Sequence, residues 1–395
     1  MLPQAGASPD PAPPPPREPP LALERRAGTQ PTGPVASARP LHLFLTGPTY
    51  VRPAILQAMA QPIVGHRGPE FAALYREVRR KLVDYAGTSA TPLLVPGSAT
   101  ALLEAGIRSL VPVRSLHAVC GAFGRRWEEV ARLNGKETAV VEAPLGKPVR
   151  AELISRALGS GRFDAVCVTH SETSTGVLHD LVSIAAVMRR HPDVLFLVDA
   201  VSSFAAAPVD VDALGIDLLV TGTQKALALP PGMAIGFASA RALDRARSAR
   251  AAGWFLDLAR IAEADAGGGT PTTPNIPLFY ALDCQLGDLL REGAAERFAR
   301  HRRMAAAAEA FCARAGLRVF PEPGYRSPAI TVALTPGLDA ERVRAVARER
   351  GWILGSGYAE LKGRCFRIGH MGDHDEHELA ELLDVLDEVL AELRA

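Results

Sequence analysis

Lysine is scarce in this chain. Of its 44 basic residues only five are lysines (Lys81, Lys136, Lys147, Lys225 and Lys362), and arginine takes the other places. Lys225 stands four residues beyond an apolar run that ends at Thr221 and reads as a buried strand, with a second apolar run behind it. In α/β sheets ligands gather at the carboxyl ends of the strands. An amine buried there can lose its proton, attack a carbonyl and form a Schiff base, which guanidinium cannot do. Placement alone leaves open a second reading, a lysine that lays its stem on the sheet edge and keeps its amine in water. Asp199 closes another apolar run, Val194-Leu-Phe-Leu-Val-Asp199. It reads either as a helix cap or as the carboxylate that keeps a pyridine nitrogen protonated in an electron-sink cofactor. Leu94-Val-Pro-Gly-Ser-Ala-Thr100 runs from strand to helix, where free backbone N–H groups and the helix dipole favour an anion. Anion cradle, strand-end aspartate and strand-end lysine in this order are more specific than any one of them.

The elements that must position these groups are legible as alternation. Apolar runs rich in Val, Ile and Leu at 92–95, 118–121, 138–141, 165–169, 194–198, 218–221 and 234–238 are separated by stretches of helical period, such as 101–110 with Leu103, Ile107 and Leu110 on one face. Runs apolar on both faces and joined through helices predict an α/β domain, with a mostly parallel seven-stranded sheet between helices. After about residue 290 the texture changes. A long Ala/Arg-rich helix over 291–315, short runs at 317–320, 330–334, 352–354 and 365–368, and a closing helix over 377–393 predict a smaller C-terminal α+β domain. The expected division is a Pro-rich tail over 1–40, a large domain over 41–290 and a small domain over 291–395, with 41–62 packing against the latter.

The 44 basic residues face 43 acidic ones, which argues against binding to nucleic acid or an anionic membrane by bulk charge. No run of 18 apolar residues is present to span a bilayer. Five scattered cysteines predict a reducing, cytoplasmic setting rather than a disulfide framework or a zinc site. Twelve of the 32 prolines fall in residues 1–40, a segment too poor in apolar and aromatic residues to offset its ordering entropy. It reads as a disordered tail and not as a targeting signal.

With these residues in view, the chain resembles the class V pyridoxal-phosphate aminotransferases, in particular the alanine–glyoxylate / serine–pyruvate group, over residues 43–393. The resemblance is carried by Thr46-Gly-Pro-Thr49, Gly65-His-Arg67, Thr169-His-Ser-Glu-Thr-Ser-Thr-Gly-Val177, Val198-Asp-Ala-Val-Ser-Ser203, Thr221-Gly-Thr-Gln-Lys-Ala226, Pro230-Pro-Gly232 and Arg367-Ile-Gly369. It implies a fold-type I transferase and a homodimer with shared active sites. Lys225 would hold pyridoxal 5'-phosphate as a Schiff base and later move protons. Asp199 would pair with the pyridine nitrogen, and Val201 and Phe123 would cover the two ring faces. Ser98, Ala99 and Thr100, helped by Gln224, would cradle the phosphate. Thr173 would bond the phenolic oxygen, and Thr273 would reach the phosphate of the neighbouring subunit. Arg367 would grip the substrate α-carboxylate with a bidentate pair.

Phenylalanine at 123 stands where relatives often have tryptophan, Gly-Ser-Ala-Thr replaces the commoner Gly-Ser-Gly-His, and the 265–270 segment lacks a tyrosine that some relatives bring across the dimer. His170 is expected to be a structural hydrogen-bonder, and His66 and Arg67 to face either substrate or the partner subunit. His370, His374 and His377 make only a weak case for a metal, and no metal site is expected. Cys365, two residues before Arg367, invites a desulfurase reading, but a strand cysteine is buried where a persulfide-forming one must be exposed. The implied activity is a ping-pong transaminase, working through aldimine and ketimine, that exchanges an amino group between a small amino acid such as serine or alanine and a 2-oxo acid such as glyoxylate or pyruvate. A lyase or desulfurase of the same class, or a catalytically idle subunit of a larger assembly, are the alternatives.

Overall fold

The computed structural model describes residues 41–249 and 253–395, and residues 41–395 form one compact unit. The expected tail over 1–40 lies outside the described residues. The larger sheet has seven strands in the order Thr91–Pro96, Met233–Ala238, Leu218–Gly222, Leu195–Asp199, Ala165–Thr169, Arg114–Val119, Glu137–Glu142. Met233–Ala238 runs antiparallel to both neighbours, and the other six strands share one direction. The three central strands are buried along their whole length because helices cover both faces.

Helix Ala99–Leu110 illustrates the packing. Its buried face carries Leu102, Leu103, Ile107 and Leu110, each contributing about 1.5–3 kcal/mol by leaving water. Gly106 lets it approach the sheet, since a Cβ there would lie 2.5 Å from Leu218 Cδ2. A side chain at 106 would push the helix off the strand and tilt the cradle at its start.

A second sheet of five strands is ordered His42–Phe44, Trp352–Ser356, Cys365–Gly369, Ile330–Leu334, Arg318–Val319. Only the first pair is parallel, so 41–62 does supply an edge to this smaller sheet. The closing helix Glu376–Arg394 is capped by Asp375, which accepts the Glu378 N–H, and buries Leu379, Leu382, Leu383, Leu386, Val389 and Leu390.

One expectation needs correction. The strand expected at 118–121 is Arg114–Val119. Its start was hidden because Ser115 and His117 look polar, yet they are buried and pair with each other, Ser115 Oγ to His117 Nε2 at 2.9 Å. The helix expected over 291–315 is Ala294–Arg314, and Gly293 with φ +78° separates it from a preceding helix, Ile276–Glu292. That positive φ is open to glycine and interrupts the helical ladder. The first of the two helices runs through position 290.

Candidate active site

Five of the six co-directed strands deliver their carboxyl ends to one cavity of about 330 Å³. Ser98, Ala99 and Thr100 follow the first strand, Phe123 follows Arg114–Val119, and Thr169, Ser171 and Thr173 end or follow Ala165–Thr169. Asp199 ends its strand with Val201 just beyond, and Gln224 and Lys225 follow Leu218–Gly222. Gly47 and Pro48 close the cavity from the N-terminal segment.

The Lys225 amine donates a hydrogen bond to the carbonyl of Thr46. Burial depresses its pKa to about 8, and the nearby positive charges of Arg367 and Arg126 act in the same sense against Asp199 and Glu172. A neutral amine is therefore accessible near physiological pH, which the nucleophilic role requires. Its stem lies against Gly47, where a Cβ would be 2.5 Å from Lys225 Cδ.

Asp199 behaves in the opposite sense. Burial raises its carboxyl to about 6, and the charge of Glu172 adds to the rise. The N–H of Val201 donates to Oδ1 at 3.0 Å and the Thr169 hydroxyl to Oδ2 at 3.4 Å. Among the described residues no basic side chain forms an ion pair with it. A buried carboxylate at the cavity wall without a cation is the complement of a protonated ring nitrogen.

The two helix starts on the cavity differ. Helix Ala122–Leu133 is closed by buried Glu172, whose Oε2 accepts the N–H groups of Phe123 at 2.9 Å and Gly124 at 3.1 Å. Its other oxygen accepts the N–H and hydroxyl of Ser174. Helix Ala99–Leu110 has no side-chain cap, so its first N–H groups open on the cavity beside Ser98. Only the second is ready for a phosphate.

Arg367 is nine-tenths buried outside this lining and joins it through Thr173, donating from Nη1 to the Thr173 carbonyl at 2.8 Å and from Nε to the Ser356 carbonyl at 2.6 Å. Thr273 is exposed, with Oγ1 3.4 Å from His66 Nε2, and lies outside the cavity together with exposed Arg67.

The His170 expectation is corrected. Its Nδ1 is buried without a partner among the described residues, and burial holds the ring neutral with a pKa near 3. Its backbone bonds instead, the N–H donating to the Asp199 carbonyl at 2.8 Å. The structural histidine is His179, which pairs Nδ1 with the Thr169 carbonyl at 2.8 Å and accepts the Val149 N–H on Nε2 at 3.1 Å. His374 pairs with Glu378 and the Leu43 carbonyl, His370 with Thr331, and no metal-holding cluster occurs among the described residues. Cys365 is buried, and burial raises its thiol pKa to about 11.

The sequence reading missed Leu103, Arg126, Trp127 and Val130, which also line the cavity. The signal was available for two of them. Arg126 and Trp127 follow Phe123 by three and four positions, and such residues share a helix face. The Arg126 guanidinium stands 4.9 Å from the Phe123 ring centre.

Comparison with known proteins agrees with this geometry. The aminotransferase class-V family matches residues 82–361. This chain is a class V aminotransferase. It is 36% identical over 359 residues to the soluble hydrogenase 42 kDa subunit of Anabaena cylindrica, covering 89% of this chain and 94% of that one. It is 32% identical to the serine–glyoxylate aminotransferase of Methylorubrum extorquens, covering 86% and 88%. The solved alanine–glyoxylate aminotransferase of Nostoc sp. superimposes with a TM-score of 0.86 at 30% identity, covering 93% and 98%. Class V aminotransferases of fold type I use pyridoxal phosphate, and the donor set fits it: an amine for the aldehyde, an unpaired buried carboxylate for the ring nitrogen and an uncapped helix start for the phosphate.

Proposed function

We propose that the protein exchanges an amino group between a small amino acid, serine, alanine or similar, and a 2-oxo acid such as glyoxylate or pyruvate, in two half-reactions at one site. The observation that carries this reading is the shared cavity of Lys225, whose amine is pushed down to about 8, and Asp199, whose carboxyl is pushed up to about 6. Pyridoxal phosphate, when bound, supplies an aldehyde and an electron-withdrawing ring. The chain's own groups do the rest. Ser98, Ala99, Thr100 and Gln224 hold the phosphate, and Phe123 and Val201 confine the ring. Asp199 holds a proton on the ring nitrogen, and Thr173 bonds the phenolic oxygen. Arg367 grips the α-carboxylate of each substrate, and Lys225 takes the proton from the substrate Cα and returns it. Thr273 and His66, on the surface, are where a second copy would complete a homodimeric site. The unpaired state of all five cysteines supports a cytoplasmic setting, and no helix among the described residues is long and apolar enough to cross a membrane.

The test crosses glyoxylate, pyruvate and 2-oxoglutarate with serine, alanine and aspartate. Donors should convert the bound cofactor stoichiometrically to pyridoxamine phosphate. Protein that stays colourless with added cofactor, or that no donor converts, overturns the reading. A second reading, a subunit of a larger assembly, is favoured by the name of the Anabaena relative. It predicts stable co-purification with a partner and no turnover. Burial of Cys365 weighs against the desulfurase alternative.

A further inference from the structure

Arg126 has no role in the scheme above, yet its guanidinium lines the same cavity as Lys225. It is held in place from two sides. Its plane lies near the Phe123 ring, 4.9 Å from the centre, and Nη2 donates to the Tyr358 hydroxyl at 3.0 Å. That is its one hydrogen bond among the described residues, and it leaves four of the five guanidinium N–H groups without a partner. Tyr358 also faces Arg367, whose guanidinium carbon is 6.0 Å from the tyrosine ring centre, and its ring centre lies 5.7 Å from that of Phe123. One tyrosine thus stands between two arginines, and neither arginine has a carboxylate partner among the described residues. By contrast the adjacent Arg125 is paired with Glu142 at 2.7 Å. The acids nearest the cavity are already committed, Glu172 to four donors and Asp199 to the ring nitrogen in the reading above.

Two guanidinium groups without a carboxylate partner, Arg126 on the cavity wall and Arg367 behind Thr173, call for two anionic groups on what binds between them. A fixed, planar fork suits a carboxylate bidentately. We propose that Arg126 reads a second carboxylate, and that the preferred amino donor is dicarboxylic, aspartate or glutamate, with Arg367 on the α-carboxylate and Arg126 on the side-chain carboxylate. The inference rests on the transaminase reading and replaces its small neutral donor with a dicarboxylic one. A second cavity, of about 400 Å³, shares Arg126 with the first and adds Tyr358, so a side chain reaching past Lys225 has room beyond the guanidinium. Arg126 is exposed at the mouth, where a substitution leaves the core untouched.

The experiment uses the holoenzyme and single half-reactions with aspartate, glutamate, alanine and serine. Wild-type kcat/KM should be at least tenfold higher for the better acidic donor than for alanine. Arg126→Gln should lower kcat/KM for that acidic donor by thirtyfold or more relative to its effect on alanine, chiefly through KM, and Tyr358→Phe should give a smaller loss of the same selectivity. Calorimetric titration with succinate, which carries no amine, should show at least tenfold weaker binding in Arg126→Gln, while propionate binding changes much less. Equal losses for acidic and neutral donors, or unchanged succinate binding, overturn the role of Arg126 and leave the transaminase reading standing. Conversion by no donor at all overturns both.

Discussion

Glu172 fixes Phe123 through the backbone. Its Oε2 accepts the Phe123 N–H at 2.9 Å, so the ring that covers one face of the cavity starts a helix whose first donors converge on a single buried carboxylate. Gly121 is required beside it, because a Cβ there would lie 2.5 Å from Glu172 Cγ and from Ser174 Oγ.

Glu172→Gln should therefore be destabilising although it is nearly isosteric. A carboxylate accepts on both oxygens, but an amide must turn its NH₂ either on the two helix N–H groups or on the Ser174 N–H. Each buried donor left unsatisfied costs about 1–3 kcal/mol. Urea unfolding should show a loss of at least that size, and titration with pyridoxal phosphate should show affinity weakened by about tenfold. A variant with wild-type stability and affinity would remove Glu172 from any positioning role.

Lys225 gives a stability prediction with a definite sign. Its folded pKa, about 8, lies below the ordinary lysine value of 10.5 because burial disfavours the cation. Between pH 8 and 10.5 the unfolded chain binds a proton that the folded one does not, so stability rises with pH across that window. Below pH 8 the buried charge destabilises the cofactor-free fold in full, on the order of 3 kcal/mol. Cofactor-free Lys225→Met should accordingly be more stable than wild type at pH 7, with the advantage fading as pH rises from 8 to 10.5. Denaturant midpoints measured across pH 6.5–10.5 check this, and a wild-type advantage at pH 7 contradicts it.

The same residues show what was readable in the chain. Lys225 and Asp199 stood out because apolar runs of strand length led straight into them, and in a mostly parallel sheet shared direction brings such ends together. The strand Arg114–Val119 was misplaced because burial of Ser115 and His117 depends on a pairing that hydropathy does not register. Arg126 and Trp127 were legible from Phe123, three and four positions before them on one helix face, whereas the approach of that helix to the cavity depends on Glu172, some 50 positions away along the chain. The idle ring of His170 was equally hidden, since which of two nearby histidines bonds is decided by packing.

Gly47 offers the sharpest test of the cavity's geometry. Its φ of +109° is strained for any residue with a side chain, and a Cβ there would lie 2.5–2.6 Å from Cδ, Cε and Nζ of Lys225. Backbone strain of this kind costs about 1–3 kcal/mol, which a fold of this size tolerates. The lysine does not tolerate it, because its amine is held against the Thr46 carbonyl one residue away. Gly47→Ala should fold, with its far-ultraviolet dichroism unchanged. It should lose the visible absorbance of lysine-bound cofactor, and borohydride reduction should fail to fix the cofactor on Lys225. Gly135→Ala, where φ is +73° and a Cβ meets nothing within 4 Å, is the matched control and should retain both signals. If Gly47→Ala binds cofactor as tightly as that control, the amine is not confined where Thr46 holds it, and the route from the N-terminal segment to the site is wrong.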